Sequence, residues 1–339
     1  MKPIIGIDVG GANIKYARLS GSTEADTHSR LFPMWRQSET LADVLAEDLR
    51  TLGPAESLAI TMTGELADCF IDRTVGVAHI ADHVVRAAKP HGVQRTLFYG
   101  VDGQFHSLEE AVGQTDLIAA SNWHALASYV GQHVAEDALL IDIGSTTTDI
   151  IPIKNGQVAT SAQTDYDRLL EGSLVYVGCR RTPICALVDR LIFRGQPCRV
   201  MNEFFATIDD ACLVLGLTNE HPDDSDTADN QPRTAALAAN RLARMIGLDR
   251  RTVTASEASE LAEQVIRATR LRIQAAIDPL SKRFGPVWVI SGHGGYLLDL
   301  PTDHSHTDLA TTLGGSISRA APAFAVAHLL AASRSHPDS

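Results

Sequence analysis

The stretch IDIGSTTTDIIPI, residues 141–153, ends an apolar run with an acidic residue and a glycine and starts a second apolar run after several hydroxyl side chains. Apolar runs on either side of a glycine turn are typical of a β-hairpin. A glycine directly after a strand lets the backbone approach a ligand closely, and successive N–H groups in such a turn form a concave site for an anion. The stretch therefore predicts a hairpin whose turn holds phosphate.

The N-terminus repeats this pattern. IIGIDVGGANIKYARL, residues 4–19, also carries an apolar run, an acid, a glycine turn and an alternating second strand. The two stretches align without a gap, in five pairs: Asp8 with Asp142, Gly10 with Gly144, Gly11 with Ser145, Asn13 with Thr147, and Lys15 with Asp149. Two copies of one device in the two halves of the chain predict a duplicated α/β architecture.

The acid in each turn indicates a metal. A carboxylate does not bind phosphate directly, but it can hold the water shell of a Mg²⁺ ion that bridges phosphate oxygens. We therefore expect Asp8 and Asp142 to face one another across a cleft and to serve a magnesium ion. The alternative is that each is an ordinary polar turn. A Rossmann turn or a P-loop leads into a helix, and both turns here lead into alternating strands, so those two phosphate sites are excluded.

Cations and acids outside the turns are further candidates. Arg180 and Arg181 in the segment CRRTP could meet phosphate oxygens with their forked guanidinium groups, and Lys15 could add a point charge. A solvated surface pair is the alternative for the two arginines. Glu65 and Asp68 follow a strand end in TGELAD, where they are candidates for a catalytic base or, equally, for a helix cap.

Composition favours a small-molecule partner. The chain has 339 residues, which is enough for two domains, with 45% hydrophobic and 21% charged residues. A net charge of −12 disfavours nucleic acid, and no apolar run reaches the length of a membrane span. Asp8 interrupts the first apolar run before an export signal could form. The five cysteines contain no C-x-x-C pair and favour the cytoplasm.

Four other segments give local predictions. SETLADVLAEDLRTLG, residues 38–53, is typical of an amphipathic helix that ends at Gly53. NEFFATIDDACLVLGL, residues 202–217, indicates a helix that ends near Gly216. The acidic stretch NEHPDDSDTADNQP, residues 219–232, predicts a solvated loop. Thr254 with Glu257 forms a capping-box pattern that opens a helix to about Ile277.

These motifs resemble those of the actin, heat-shock chaperone and sugar-kinase superfamily. IDVGGANIKYA is similar to its first phosphate motif, IDIGSTTTDIIPI to its second, and VISGHGGYL, residues 289–297, to its adenosine motif. The resemblance implies duplicated actin-like ATPase (ribonuclease H-like) domains flanking a central cleft. The stretch GSTTTDI is most similar to the hydantoinase A and oxoprolinase family. By that resemblance, phosphate-loop positions fall on Ser145, Thr146, Thr147 and Asp149, and adenosine-side glycines on Gly292, Gly294 and Gly295.

A narrower resemblance covers TMTGELADCF, EGSLVYVGCRRTP, NEFFATIDDACLVLGL and RLARMIGLD. These segments are similar to a branch linked to tetrahydromethanopterin-dependent one-carbon metabolism and to methanofuran biosynthesis. The resemblance implies a transferase that joins a furanmethyl diphosphate to the phenol of a tyramine or tyrosine unit and releases diphosphate. It leaves open which phenol is used, whether ATP binds in addition to magnesium, and the oligomeric state.

The sequence departs from sugar kinases at one position. Those enzymes usually carry an acid just before the second phosphate motif, and Asn122 of SNWHALA stands at the comparable place. An amide does not accept a proton from a hydroxyl nucleophile. The alternatives of an ATP-dependent kinase or hydrolase and of an ATP-binding regulator stay open. We expect a first lobe at residues 1–125 and a second at 126–319, with a C-terminal helix at 320–339 that returns to the first lobe.

Overall fold

The described residues form two mixed β-sheets with helices packed against them and one small two-stranded antiparallel sheet. The structure is a computed structural model that describes residues 3–19, 24–300 and 305–335. The strands are β1 (Ile4–Val9), β2 (Asn13–Leu19), β3 (Ala25–Leu31), β4 (Ser57–Met62), β5 (Arg95–Tyr99), β6 (Phe105–His106), β7 (Ala138–Ile143), β8 (Thr148–Lys154), β9 (Gln157–Val158), β10 (Leu174–Val175), β11 (Arg190–Phe193), β12 (Gln196–Arg199), β13 (Val287–Gly292) and β14 (Ser305–Asp308).

The helices vary from one turn to eight turns. They are α1 (Met34–Gln37), α2 (Leu41–Leu52), α3 (Arg73–Ala88), α4 (Leu108–Gly113), α5 (Thr115–Ile118), α6 (Asn122–His133), α7 (Asp165–Glu171), α8 (Ile208–Val214), α9 (Ala235–Arg244), α10 (Ala255–Phe284), α11 (Leu309–Leu313), α12 (Gly315–Arg319) and α13 (Ala321–Ser335). None of the helices in the described ranges is both long and apolar enough to cross a lipid bilayer.

The two sheets share one topology at their centres. The first sheet has the order β3-β2-β1-β4-β5-β6, and the second has β10-β8-β7-β13-β14 with β9 paired to β8. In the first sheet, β1 pairs antiparallel with β2 and parallel with β4. In the second, β7 pairs antiparallel with β8 and parallel with β13. The expected α/β class with duplicated actin-like halves is therefore confirmed.

Helix α13 covers the first sheet. Its residue Phe324 is fully buried, and a Cβ atom at Gly6 of β1 would overlap the carbonyl oxygen of Ala323. Gly6 is therefore required by the close approach of helix and strand. The C-terminal helix thus packs on the sheet formed by the N-terminal strands, while residues 336–339 of the expected helix lie outside the described part of the chain.

The local predictions hold where the signal is a cap or a turn. Helix α2 ends at Gly53, whose φ angle is +87°, and Thr254 caps α10 in a reciprocal bond with Glu257. The helix expected from residue 202 begins only at Ile208, so its predicted start was wrong. The residues before it are held in another way, since the main-chain N–H of Ile184 donates to the carbonyl oxygen of Ala206 at 3.1 Å. Helix α10 continues past the expected end at Ile277 to Phe284.

The acidic segment 219–232 is a loop, as expected, but it is not fully solvated. Asp229 accepts hydrogen bonds from Arg241 at 3.0 Å and from Arg244 at 2.9 Å. Arg233, which follows the loop, is buried and forms an ion pair with Asp209. These pairs fix the loop against the second half of the molecule.

Candidate active site

The turns of the two hairpins have the same main-chain hydrogen bond. The N–H of Gly10 donates to the carbonyl oxygen of Asn13 at 3.0 Å, and the N–H of Gly144 donates to the carbonyl oxygen of Thr147 at 2.9 Å. These four residues occupy equivalent positions in the gap-free alignment of the two motifs. The repeated sequence therefore folds into a repeated turn.

The duplication extends to the next strand of each sheet. Directly after β4, the N–H groups of residues 63–64 donate to the carbonyl oxygen of Val9 at 2.9 and 3.0 Å. Directly after β13, the N–H groups of residues 293–294 donate to the carbonyl oxygen of Ile143 at 3.1 and 3.2 Å. Each phosphate-type hairpin is thus tied at its strand end by the turn that follows the neighbouring parallel strand.

Both hairpins line one cavity of about 650 Å³. The cavity also receives side chains from α1, α7, the start of α6 and the segment after β4. The residues expected at the phosphate and metal positions that line it are Asp8, Gly10, Gly11, Asn13, Lys15, Asp142, Gly144, Ser145, Thr146, Thr147 and Asp149. The two halves of the molecule therefore present their hairpins to a common space.

Asp8 is buried and Asp142 is half-buried in this cavity. Burial raises the pKa of Asp8, which Lys15 opposes, and it raises the pKa of Asp142 to about 6. Lys15 lowers both pKa values, and the two aspartates feel one another's charge because Asp8 raises the pKa of Asp142. A single lysine thus lies near two desolvated carboxylates, so positive charge does not balance negative charge around these two aspartates.

A magnesium ion fits this deficit. Among the described residues, no group of three or more acidic, histidine or cysteine side chains could enclose a metal. Mg²⁺ retains several water ligands and is usually held through one or two carboxylates together with substrate phosphates. Asp8 and Asp142 supply two such carboxylates, and they would hold the ion together with water and phosphate oxygens.

Asp149 is committed to a second ion pair. Its carboxylate accepts a hydrogen bond from Arg168 at 2.5 Å, and the guanidinium group of Arg168 lies 4.4 Å from the centre of the Trp123 ring. Both Asp149 and Arg168 are buried. Asp149 therefore lines the cavity with the hairpins but has a fixed cationic partner, which distinguishes it from Asp142 on the adjacent strand.

Glu65 is a buried acid with one free oxygen atom. Its side chain is 1% exposed, and its Oε2 atom has no hydrogen-bond partner in the described part of the chain. Burial raises the pKa of Glu65 to about 7, and the negative charge of Asp165 adds to the effect. Asp68 also lines the cavity but is exposed. The structure therefore separates the two carboxylates that the sequence could not rank.

The adjacent arginines Arg180 and Arg181 lie on different cavities. Arg181 lines the cavity with the hairpins, where its guanidinium group lies 5.3 Å from the centre of the Trp35 ring. Arg180 lines a second cavity and donates a hydrogen bond to Asp224 at 2.7 Å. Their main-chain N–H groups both donate to the carbonyl oxygen of Ser145, at 3.1 and 2.8 Å, so the segment follows the second hairpin while the side chains diverge.

The third glycine motif packs against the second hairpin. Cβ atoms at Gly292 and Gly294 would overlap the backbone and side chain of Ile143, and Gly292 has a φ angle of +81°. Neither of these glycines nor Gly295 lines the cavity that contains the hairpins. Their neighbours His293 and Tyr296 line the second cavity, whose volume is about 800 Å³.

His293 lies where the two cavities approach one another. Burial lowers the pKa of His293 to about 4, and the positive charges of Lys15, Arg319 and Arg180 lower it further. Lys15 belongs to the first cavity, whereas Arg180 and Arg319 line the second. The second cavity is thus a neighbour of the cavity that contains the hairpins, and the third glycine motif lies beside it.

Several residues of the first cavity were not singled out from the sequence. These are Trp35, Asp165, Arg168 and Tyr176. They stand outside the glycine motifs, in helices or strand ends that only the tertiary fold brings to the cavity. The Asp–Tyr–Asp–Arg run at the start of α7 carries no recognised pattern except a helix cap, so no sequence signal identified them.

Comparisons with known proteins agree with this architecture. The profile of the hydantoinase/oxoprolinase family matches residues 56–332. A relative from Methanocaldococcus jannaschii, 35% identical, covers 96% of this chain and 97% of its own length. Its name is (4-{4-[2-(gamma-L-glutamylamino)ethyl]phenoxymethyl}furan-2-yl)methanamine synthase. A relative from Methanococcus vannielii with the same name is 30% identical and covers 60% of this chain and 95% of its own length.

A solved structure shares the fold. The nucleotide-free structure of an acetone carboxylase superimposes with a TM-score of 0.55 at 11% sequence identity. The match covers 96% of this chain and 70% of that one. At this identity the likeness shows the fold alone.

Proposed function

The chain belongs to the hydantoinase/oxoprolinase family, and from this premise we propose that it is a transferase of methanofuran-type cofactor biosynthesis. It joins a furanmethyl diphosphate to a tyramine-type phenol and releases diphosphate. The observation that carries the proposal is the convergence of two Asp-x-Gly hairpins and the buried acid Glu65 on one cavity. The relative from Methanocaldococcus jannaschii, similar over nearly the whole chain, supports the choice of substrates.

The name of that relative describes the bond that is formed. Its product contains a phenoxymethyl group on a furan, which is an ether between a phenol oxygen and a methylene carbon. Formation of that ether requires a leaving group on the methylene carbon and removal of the phenol proton. A cavity with an anion site and a buried base matches both requirements.

The hairpins are suited to hold the leaving group. The N–H groups of the two turns and the cations Lys15 and Arg181 would bind diphosphate as the carbon–oxygen bond breaks and its electron pair moves to the phosphate oxygen. Magnesium, held by Asp8 and Asp142, would supply further neutralisation of this charge. The electron-rich furan ring spreads the positive charge left on the methylene carbon.

Glu65 is the proposed base. The phenol oxygen attacks the methylene carbon and forms the ether, and its proton passes to the free Oε2 atom of Glu65. A general base works best when its pKa lies near the operating pH, and that of Glu65 is about 7. Asp68 is exposed at the same cavity and has no comparable enclosure.

Asn122 supports ether formation over phosphoryl transfer. It lines the cavity, and its Oδ1 atom accepts a hydrogen bond from the main-chain N–H of Trp123 at 2.8 Å. An amide at this place, with its oxygen already engaged, does not activate a hydroxyl nucleophile. ATP stays a proposed occupant of the second cavity, beside the adenosine-type motif, under the alternative of a kinase, hydrolase or nucleotide-dependent regulator.

We also propose the division into a first lobe at residues 1–125 and a second at 126–319. Support comes from strands β1 to β6 forming one sheet and β7 to β10, β13 and β14 forming the other. The packing of α13 on the first sheet supports its assignment to the first lobe. The free state of all five cysteines supports a cytoplasmic location.

The test supplies the purified protein with Mg²⁺ and one of two substrate sets. The first set is an aminomethyl-furanmethyl diphosphate with γ-glutamyltyramine, tyramine or tyrosine, and the second is ATP with the same phenols. We expect diphosphate and ether in equal amounts from the first set, and no ADP from the second. ADP formation would instead establish the kinase or hydrolase, and tight ATP binding without any product would establish the regulator.

A further inference from the structure

Asp165, the first residue of α7, carries a carboxylate without a matching partner. It lines the cavity with the hairpins, and its closest cation in the described part of the chain is Arg168, with Nη1 4.0 Å away. Arg168 already donates to Asp149 at 2.5 Å. None of the hydrogen bonds found among the described residues ends on the side chain of Asp165, although burial raises its pKa.

Negative charge accumulates around Asp165. Glu65, from the opposite half of the molecule, lies close enough for Asp165 to raise its pKa. Arg73 lies near both acids and lowers both pKa values, but its Nη1 atom is also 3.5 Å from Asp116. Arg168 and Arg73 are thus each engaged with another carboxylate, Asp149 and Asp116 respectively, and neither comes closer than 4.0 Å to the carboxylate of Asp165. A cationic group of a ligand would give Asp165 the close partner that it lacks.

Tyr176 adds an aromatic ring to the same cavity. Its side chain is 63% exposed and lines the same cavity. Desolvation raises the pKa of its hydroxyl group, the charges of Asp165, Asp149 and Glu65 raise it further, and Arg181 opposes them. An acid and an aromatic ring that line one cavity can bind an organic ammonium ion, through an ion pair and a cation–π contact.

We infer that Asp165 and Tyr176 form a subsite for a primary ammonium group beside Glu65. Given the proposed function, on which this identification rests, the group is the aminomethyl arm of the furan substrate. The ion pair fixes one end of the furan ring while the hairpins fix the diphosphate at the other. The methylene carbon is thereby positioned between the leaving group and the phenol. Asp165 is a positioning residue that selects amine-bearing furans.

Binding of a simple probe tests the subsite independently of turnover. The probe is furan-2-ylmethanamine, with furan-2-ylmethanol as its uncharged counterpart, and binding is followed by ligand-observed NMR. Loss of a charge-assisted bond is worth roughly tenfold to a hundredfold in affinity. We expect Asp165→Asn to weaken the amine by that factor and to leave the alcohol unchanged. Asp189→Asn, which removes an equal charge from an 88% exposed side chain, should leave both unchanged.

Two outcomes would overturn the subsite. One is equal binding of the amine by the wild-type protein and by Asp165→Asn. The other is displacement of the amine by MgCl₂ in the wild-type protein but not in Asp165→Asn, which would make the pair a metal site. If Asp165→Asn melts at a much lower temperature than the wild type, Asp165→Ser is measured in its place. The two proposals can fail separately. If no ether product forms but the protein still prefers the amine over the alcohol, the proposed function is wrong and the subsite stands.

Discussion

At the residue scale, Glu65 combines burial with a free oxygen atom and a pKa near neutrality. The strand end that precedes it is visible in the sequence, but its burial is not. Helix α3 packs closely against the backbone of this residue, since a Cβ atom at Gly76 would overlap the carbonyl oxygen of Glu65. The sequence could therefore name Glu65 and Asp68 as candidates but not choose between them.

Removal of the Glu65 carboxylate should abolish the pH dependence of ether formation. Because the pKa is raised to about 7, the fraction of ionised base increases with pH and levels off above neutrality. We expect wild-type kcat/KM to rise through pH 7 and to reach a plateau only above it. In Glu65→Gln we expect kcat to fall on the order of 10²–10⁴-fold and the profile to flatten. A Gln variant that retains the wild-type rate and profile would assign the base elsewhere.

The adjacent arginines provide a matched pair. Arg181 lines the cavity with the hairpins, and Arg180 lines the second cavity and binds Asp224. Loss of one charge donor to a developing anion typically costs on the order of 10² to 10³ in rate. We expect Arg181→Gln to lower kcat by that factor and Arg180→Gln to change it much less, as measured by diphosphate release. A larger loss of kcat in Arg180→Gln than in Arg181→Gln would place Arg180, rather than Arg181, at the diphosphate.

At the element scale, the hairpins were predictable because each is encoded by consecutive residues. The acid, the glycine and the alternating second strand occur within one short stretch, and the turn hydrogen bonds of Gly10 and Gly144 follow from it. The capping box at Thr254 and Glu257 was predictable for the same reason. The start of α8 was not, because the residues before it pair with a distant segment that includes Ile184.

We expect the glycines of the third motif to contribute to the stability of the fold. Gly292→Ala would place a methyl group against the carbonyl oxygen of Ile143 at a φ angle of +81°. Gly285→Ala is the matched control, since its φ angle of +106° is equally unfavourable but nothing lies within 4 Å of its Cβ position. We expect about 1 kcal/mol of destabilisation in the control and at least about twice that for Gly292→Ala.

Urea or thermal unfolding measures this difference. Equal losses in the two variants would mean that backbone strain alone explains Gly292 and that its contact with the second hairpin contributes nothing. A larger loss of stability in Gly292→Ala would support a structural role for this motif, which packs against the second hairpin as residues 63–64 pack against the first.

At the scale of the whole molecule, the duplication explains why a cavity forms between the halves. Two sheets with equivalent central strands each direct one hairpin at the same space, and a single lysine, Lys15, faces the aspartates of both. The sequence predicted this convergence from the repeat. It could not predict that Glu65 and Asp165 lie close together, because the segment after β4 and helix α7 come from unrelated parts of the chain.

The C-terminal helix should be essential for the first half of the molecule. Phe324 of α13 is fully buried, and replacement of a buried phenylalanine by alanine typically costs about 3–5 kcal/mol. We expect Phe324→Ala to reduce the free energy of unfolding by that amount. An unchanged denaturation midpoint would show that the helix is not a structural part of the first sheet.

The central claim is that both hairpins hold one diphosphate, and calorimetric titration of the purified protein with magnesium diphosphate tests it most directly. The wild-type protein is compared with Lys15→Gln in the first hairpin and Thr146→Val in the second. The account predicts one diphosphate per chain and weaker binding in both variants. Two independent sites in the wild type, or full affinity after loss of either side chain, would contradict it.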